Sequence, residues 1–223
     1  MFPDLTRDDI FRLETERLWL RWPRASDAAA ITAFASLPEV AQMTDAIPHP
    51  YPVGEADRFV FNARAENAAG KALHFALTRK NGPRAPFGLV SAVMEAPQEV
   101  ALGYIIAPDM WGEGYASEAA RIVIDTVFGL TPAMRVVANA RVNNPGSRAV
   151  LEKSGFVYID SGLDLLPARG GLHPCDRFEL TRQKWRTAHG LRTLPAMSHQ
   201  HEAPATAVLS ESLADPKAKA LEY

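Results

Sequence analysis

The sequence predicts a mixed α/β domain built on a twisted sheet, and three observations carry that prediction. Three strand-like runs, Leu73 to Thr78, Phe87 to Met94 and Val100 to Ile106, are joined by short turn-rich linkers, the pattern of an antiparallel meander. A glycine-containing turn, Trp111-Gly112-Glu113-Gly114, then leads into an amphipathic helix over Tyr115 to Phe128. After that helix a strand, a short helix and two more strands follow in order.

Each element has its own signal. Leu18 to Trp22 alternates and is stopped by Pro23, which reads as a first strand. Ser26 is placed to cap a helix over Asp27 to Ser36, with Pro38 ending it. The Ile47-Pro48-His49-Pro50-Tyr51-Pro52 stretch is a loop, because proline lacks the amide that a helix or ladder needs. A second helix covers Glu55 to Asn67, and Gly70 stops it. In the helix from Tyr115, Tyr115, Ala119, Ile122, Val123 and Thr126 share one face while Glu118, Arg121 and Asp125 share the other. A strand follows over Met134 to Arg141. Asn144 as cap, Pro145 at the first helical position and Gly155 just past the end delimit a short helix. Phe156 to Ile159 and Arg177 to Leu180 are the last strands, joined by a glycine-rich loop.

Composition narrows the classes of function. At 223 residues, 47% hydrophobic and 22% charged, the chain is an ordinary globular protein large enough for one well-buried core. A net charge of -2 gives no basic footprint for nucleic acid. The single cysteine, Cys175, excludes an internal disulfide and fits a reducing compartment. One cysteine and unclustered histidines predict no metal site. No apolar run approaches the roughly 20 residues of a membrane helix, and the N-terminus lacks an apolar signal core. The expectation is a cytoplasmic protein with no membrane partner. Residues 1–186 form the predicted domain. Residues 187–223, rich in Ala, Pro, Ser and His, read as a disordered or docking extension in which Val208 to Leu213 is a candidate helical turn.

The turn at Trp111 to Ala116 is the candidate anion site. A tight turn opening a helix aims several backbone amides, and the positive end of the helix dipole, into one volume. Gly112 and Gly114 let the backbone approach an anion, and Ala116 keeps the first turn uncrowded. On these residues alone, a turn serving only strand-to-helix geometry remains equally open. No Walker lysine follows the glycines, and the dinucleotide fingerprint does not fit a turn preceded by three antiparallel runs.

The run Val100-Ala101-Leu102-Gly103-Tyr104-Ile105-Ile106-Ala107-Pro108 followed by Trp111-Gly112-Glu113-Gly114-Tyr115-Ala116-Ser117-Glu118-Ala119 resembles the acetyl-CoA motif of the GNAT superfamily of N-acetyltransferases, RimJ/RimL-like branch. Thr15 to Arg21, Asn144 to Phe156 and Thr181 to Trp185 resemble further pieces of that branch, in order, so the similarity spans about Glu14 to Trp185. The resemblance implies a strongly twisted mixed sheet of about seven strands and about four helices, splayed at the fourth and fifth strands. It implies acetyl-CoA as co-substrate, no metal, and transfer to an amine acceptor, a protein N-terminus or a small molecule, by a monomer or homodimer. Tyr104, Ile105 and Ile106 would bind the pantetheine through the backbone, with a bulge freeing an amide for the oxyanion. Trp111, Gly112, Glu113, Gly114, Tyr115 and Ala116 would hold the pyrophosphate.

For catalysis, the tyrosine that some relatives use as acid is replaced by Leu151, and Ser147 stands in the alternative serine register. Asn144 would contact the cofactor, and both residues also read as ordinary capping. The glutamate that relatives often carry before the Gly-Tyr pair is Ala101 here. Glu99, on the same strand face, is the candidate substitute base, or else a solvated strand-end charge. His74 is a second candidate at the acceptor side, with His173 and Asp176 weaker ones. Tyr51 is a candidate acceptor contact or a packing anchor. Two other readings stay open: a small-molecule amine as acceptor, and a non-catalytic CoA-binding module.

Overall fold

The computed structural model describes residues 1–191. The candidate turn at Val208 to Leu213 and the rest of the predicted extension lie outside the described residues. The elements are β1 (Arg12–Glu14), β2 (Leu18–Arg21), α1 (Ala28–Ala35), α2 (Pro38–Ala41), α3 (Glu55–Ala68), β3 (Ala72–Arg79), β4 (Gly88–Ala96) and β5 (Glu99–Ile106). They continue with α4 (Tyr115–Leu130), β6 (Arg135–Arg141), α5 (Pro145–Lys153), β7 (Val157–Leu166), β8 (Gly171–Thr181) and α6 (Arg182–Ala188). Among the described residues no helix is long and apolar enough to cross a membrane.

The strands form one sheet in the order β1-β2-β3-β4-β5-β6-β8-β7, antiparallel throughout except where β5 and β6 run parallel. That parallel ladder is short, pairing only Glu99, Val100 and Ala101 with Arg135, Val136 and Val137. Beyond Ala101 the two strands diverge, and this is the splay expected at the fourth and fifth predicted strands. The eighth strand is β1, a three-residue edge too short to show alternation in sequence.

Register sorts the side chains onto two faces, because directly paired residues project the same way. Leu73 pairs with Ala92 and Ala92 with Leu102, while Phe75, Val90 and Tyr104 form the next row of the same face. The opposite face carries the rows His74-Ser91-Gly103 and Val93-Ala101-Val137. Helix α3 covers this second face, where the Phe59 ring meets His74 edge-on. Helix α4 packs on β4 and β5 with Ala119, Ala120, Val123 and Ile124 buried. The Arg121 guanidinium donates to the Lys153 carbonyl, which holds α4 beside α5. Both therefore lie on the Tyr104 face. Burial of these apolar side chains stabilises by about 25 cal/mol per Å² removed from water. Arg182 completes the assembly, donating to the carbonyls of Phe128, Thr131 and Ala133 that α4 and its exit leave without helical partners.

Four local expectations are corrected. The first helix begins at Ala28 after a 3₁₀ turn, and Asp27 rather than Ser26 organises its entry: its carboxylate accepts from the Arg24 amide at 2.8 Å and from Arg21 bidentately at 2.7 and 2.8 Å. A buried acid paired with arginine outcompetes a neutral hydroxyl for that role. The first helix stops at Ala35, ahead of Pro38 as expected, but Pro38 also opens a further short helix, α2, from the first position, where its missing amide costs nothing. The last two strands run 10 and 11 residues, and the predicted glycine-rich loop is a tight turn at Pro167 to Gly170. Their outer stretches are at most partly buried until Leu166 and Cys175, so the alternation there carries little hydrophobic contrast. Finally, α6 continues to Ala188, past the compositional boundary at residue 187.

Candidate active site

The gap between β5 and β6 exposes one edge of β5. The Ala107 amide bonds the Phe87 carbonyl across the β4 ladder, so by strand alternation the amides and carbonyls of Tyr104 and Ile106 face the gap. The indole Nε1 of Trp111 donates to the Ile106 carbonyl at 2.7 Å, fastening the following turn to the strand end. The expected bulge in β5 is absent. Its register with β4 is continuous from Val100 to Ile106, and the irregularity lies in β4 between Met94 and Ala96. The free amides of β5 arise from the divergence of β6 instead.

At the mouth of the gap, Gly112 and Gly114 adopt φ of 80° and 79°, a left-handed backbone that explains glycine at both positions. The Glu118 amide is the first to bond within α4, to the Gly114 carbonyl, so the amides of Tyr115, Ala116 and Ser117 precede any helical acceptor. A pocket beside them is lined by Glu16, Arg17, Gly114, Ser117, Glu118, Arg121 and Lys153. Arg121 and Lys153, with Arg17 held by Glu118, give it cations suited to a ligand with several phosphates. Trp111, Gly112, Glu113 and Gly114 are exposed, as a receiving surface requires, and Tyr115 stacks between Phe87 and the Arg17 guanidinium.

A network ties this turn to the N-terminal hairpin. The Glu118 carboxylate accepts from Thr15 Oγ1 at 2.5 Å, from the Arg17 amide at 3.0 Å and from its guanidinium at 2.6 Å, while Arg17 also donates to the Glu113 carbonyl. Burial pushes the Glu118 carboxyl up, but these donors outweigh it and hold it below its ordinary value. Its contribution to stability is therefore complete above about 4.5 and is lost as pH falls through the lower folded value. Glu118→Gln removes a charge-assisted acceptor worth about 1–2 kcal/mol. Its thermal midpoint at pH 7 is expected to fall by about 2–8 °C, and the gap from the parent should close in melts below that titration. A constant gap at every pH would disprove the charged role.

Across the gap, the Tyr104 hydroxyl meets the start of α5. It donates to the Ser147 carbonyl at 3.1 Å and lies 3.0 Å from Ser147 Oγ. Burial raises Tyr104 to about 12, opposed by the Ser147 hydrogen bond, so it stays protonated at neutral pH. Asn144 caps α5 as expected, its Oδ1 accepting from the Ser147 amide at 3.0 Å. Sequence reading placed Tyr104 only as a backbone contact; its partnership with Ser147 depends on two elements 43 residues apart.

The opposite mouth is walled by the loop from Gln42 to Gly54. The Ala168 amide and the Arg169 guanidinium in the β7–β8 turn bond the carbonyls of Asp45 and Ile47, and Arg141 donates to the Gln42 carbonyl. Tyr51 sits half-buried in this loop, its hydroxyl raised to about 12 by burial and then by Glu55. Near this wall Arg177 is shared by two acids, Asp160 and Asp164, and Asn139 also donates to Asp164.

The candidate bases separate. Glu99 lies at the closed end of β5, ion-paired with Arg135 at 2.5 Å, and four residues of strand, about 13 Å, keep it from Gly103. His74 lies in the same row as Gly103 and is nearly buried. His173 bonds the Arg169 carbonyl beside the acceptor-side wall, away from Gly103, whereas Asp176 is engaged by Arg148 and Ser161 on the Tyr104 face. Among the described residues no cluster of His, Cys, Asp and Glu could hold a metal ion.

A mixed sheet that parts between two parallel strands, with an amide-lined helix start at the mouth, is the N-acetyltransferase fold. Residues 17–157, more than half the chain, match the acetyltransferase (GNAT) domain, and the chain belongs to that family. It is similar to the solved Mycobacterium smegmatis RimJ in complex with CoA-disulfide (TM-score 0.64, 22% identity, covering 78% of this chain and 89% of that one). It is also similar to the spermidine N-acetyltransferase of Vibrio cholerae in complex with CoA and spermine (TM-score 0.64, 18% identity, 77% and 99%). At these identities the likeness is one of fold. Among curated proteins, the FsC-acetyl coenzyme A-N(2)-transacetylase of Aspergillus fumigatus is 28% identical over 85 residues, 37% of this chain and 36% of that protein. The matched segments span 36% to 58% of the curated relatives' lengths.

Proposed function

We propose that this chain transfers an acetyl group from acetyl-CoA to an amine by direct attack, and that the amine is the free α-amino group of a protein or peptide. The observation that carries the transfer reading is the convergence on one gap of an unpaired β5 edge, the turn amides and the Tyr104–Ser147 pair. Acetyl-CoA supplies the activated acyl carbon and a thiolate leaving group. The residues supply the rest: Tyr104 and Ile106 backbone groups receive the pantetheine arm and the carbonyl oxygen, and Gly112 to Ser117 with Arg121 and Lys153 receive the phosphates. Ser147 hands its hydroxyl proton to the departing sulfur and takes a replacement from solvent water, while Tyr104 holds that hydroxyl in place.

Two features favour an α-amine. The acceptor-side wall sets Arg141, Arg169 and Arg177 among its acids rather than presenting a purely acidic cleft for a polycation. Ala101 and the pairing of Glu99 with Arg135 leave no carboxylate on β5 itself beside Gly103 among the described residues. An α-amine, with a pKa of about 7.7–8.0, is roughly one-tenth neutral at pH 7, against about 1 in 2,500 for lysine. The test is thiol release from acetyl-CoA by the full chain at pH 7. A peptide with a free N-terminus should turn over faster than the same peptide N-blocked with an internal lysine, and faster than spermidine. A faster polyamine would move the assignment to small molecules, and tight acetyl-CoA binding without turnover would make the chain a binding module.

A further inference from the structure

Ser91 and His74 form a hydrogen-bonded line that ends at the open floor of the gap. His74 Nδ1 lies 2.7 Å from Ser91 Oγ, and His74 Nε2 lies 2.7 Å from Glu66 Oε2. A carboxylate accepts, so Nε2–H donates to Glu66 and Nδ1 is left as the acceptor for the Ser91 hydroxyl. The ring is fixed from behind. Beyond the end of β2, the exposed edge of β3 is taken by Asn67, which accepts from the His74 amide at 2.8 Å and donates to its carbonyl at 3.0 Å. Ser91 is the direct cross-strand partner of Gly103, and a side chain at Gly103 would meet nothing within 4 Å. The space above Gly103 is thus within about 5 Å of the Ser91 side chain, one residue from the β5 edge that parts from β6.

We infer that Ser91 is the group that takes the proton of the attacking amine, and that His74, set by Glu66, is the base behind it. This rests on the acyl-transfer reading above. As the amine nitrogen bonds to the acyl carbon and the carbon–sulfur bond breaks, the amine proton passes to Ser91 Oγ. The Ser91 proton passes to His74 Nδ1, and Ser147 protonates the sulfur on the other face of the sheet. The imidazolium so formed is paired with Glu66, whose carboxylate is about half exposed (47%) and returns the proton to water. Ser91 is the catalytic residue of this line, and His74 and Glu66 are positioning residues. The assignment replaces, with a hydroxyl on β4 and an imidazole on β3, the carboxylate that Ala101 cannot supply.

Burial lowers the His74 pKa below its ordinary value, and Glu66 opposes that shift. The groups facing the ring are Glu66 and Phe59 from α3 and Ser91 from β4, so Glu66 is the charged one among those contacts. The ring is therefore neutral at pH 7, with Nδ1 open to accept.

The experiment compares the full chain with Ser91→Ala, Ser91→Thr and Glu66→Gln, using acetyl-CoA and a short peptide with a free α-amine across pH 6 to 9. Ser91→Ala should lose on the order of 100-fold in kcat at pH 7 with KM for acetyl-CoA unchanged. The deficit should narrow above the α-amine pKa of about 8, where the nucleophile is already neutral. Ser91→Thr keeps a hydroxyl and should recover most of the rate. Glu66→Gln, at a half-exposed site that leaves the core intact, should show a smaller loss with the same pH trend. A Ser91→Ala rate equal to the parent's, or a deficit equal at every pH, would overturn the relay and leave the acyl-transfer reading standing. A parent chain that releases no thiol with any amine would overturn both.

Discussion

Ser147→Ala is expected to lower kcat for acetyl transfer by about 100-fold while KM for acetyl-CoA stays within about twofold, the behaviour of a lost general acid. The effect is confined to chemistry because the fold does not depend on the hydroxyl. The capping bond at α5 uses the Ser147 amide, which alanine retains, and Asn144 Oδ1 still accepts it. Tyr104 also keeps its bond to the Ser147 carbonyl. Tyr104→Phe should give a smaller fall, since it removes only the partner that orients Ser147 Oγ. Steady-state kinetics with thiol detection checks both. If Ser147→Ala matched the parent while binding acetyl-CoA normally, sulfur would be protonated from elsewhere, and Tyr104 across the gap would be the next candidate.

Gly114→Val is expected to weaken acetyl-CoA binding by 10-fold or more, roughly the 1–2 kcal/mol that a left-handed backbone costs a residue with a side chain. Gly114 holds φ 79° at the N-cap of α4, and valine, branched at Cβ, is among the residues least able to follow. The chain's alternative is to rotate the peptide, which turns the amides of the first helical turn away from one another. The new Cβ would stand 3.6 Å from the Arg17 guanidinium, so ordinary contact there permits the fold to survive. Calorimetric titration with CoA measures the loss, and a parallel thermal melt separates it from unfolding. Unchanged affinity would mean that the turn's amides do not carry the phosphates.

Much of the local architecture was legible in the chain. Asn144-Pro145 and Gly155 delimit α5 because capping is chemistry between neighbours, and the observed Asn144–Ser147 bond spans three residues. The β3–β4–β5 meander followed from alternation and short turns. That β7 and β8 extend well past their predicted ends has a plain reason. Those strands extend past the core as a hairpin whose sides are mostly wet, so their hydrophobic period is faint.

The sequence by itself determined the glycine turn, the open strand run before it, the serine at the start of α5 and the missing carboxylate at Ala101. Each is a residue type at a position, set by backbone geometry or by what a side chain can donate. Tertiary structure alone decided which of them meet. It placed Glu99 against Arg135 at the closed end, Arg17 on Glu118 across 101 residues, and Tyr104 on Ser147 across the gap. It also lined up Glu66, His74 and Ser91 beneath Gly103. The reason is that period reports which face a side chain takes, whereas partnership depends on register between strands and on where a helix crosses them, and those are set by the packing of the whole core.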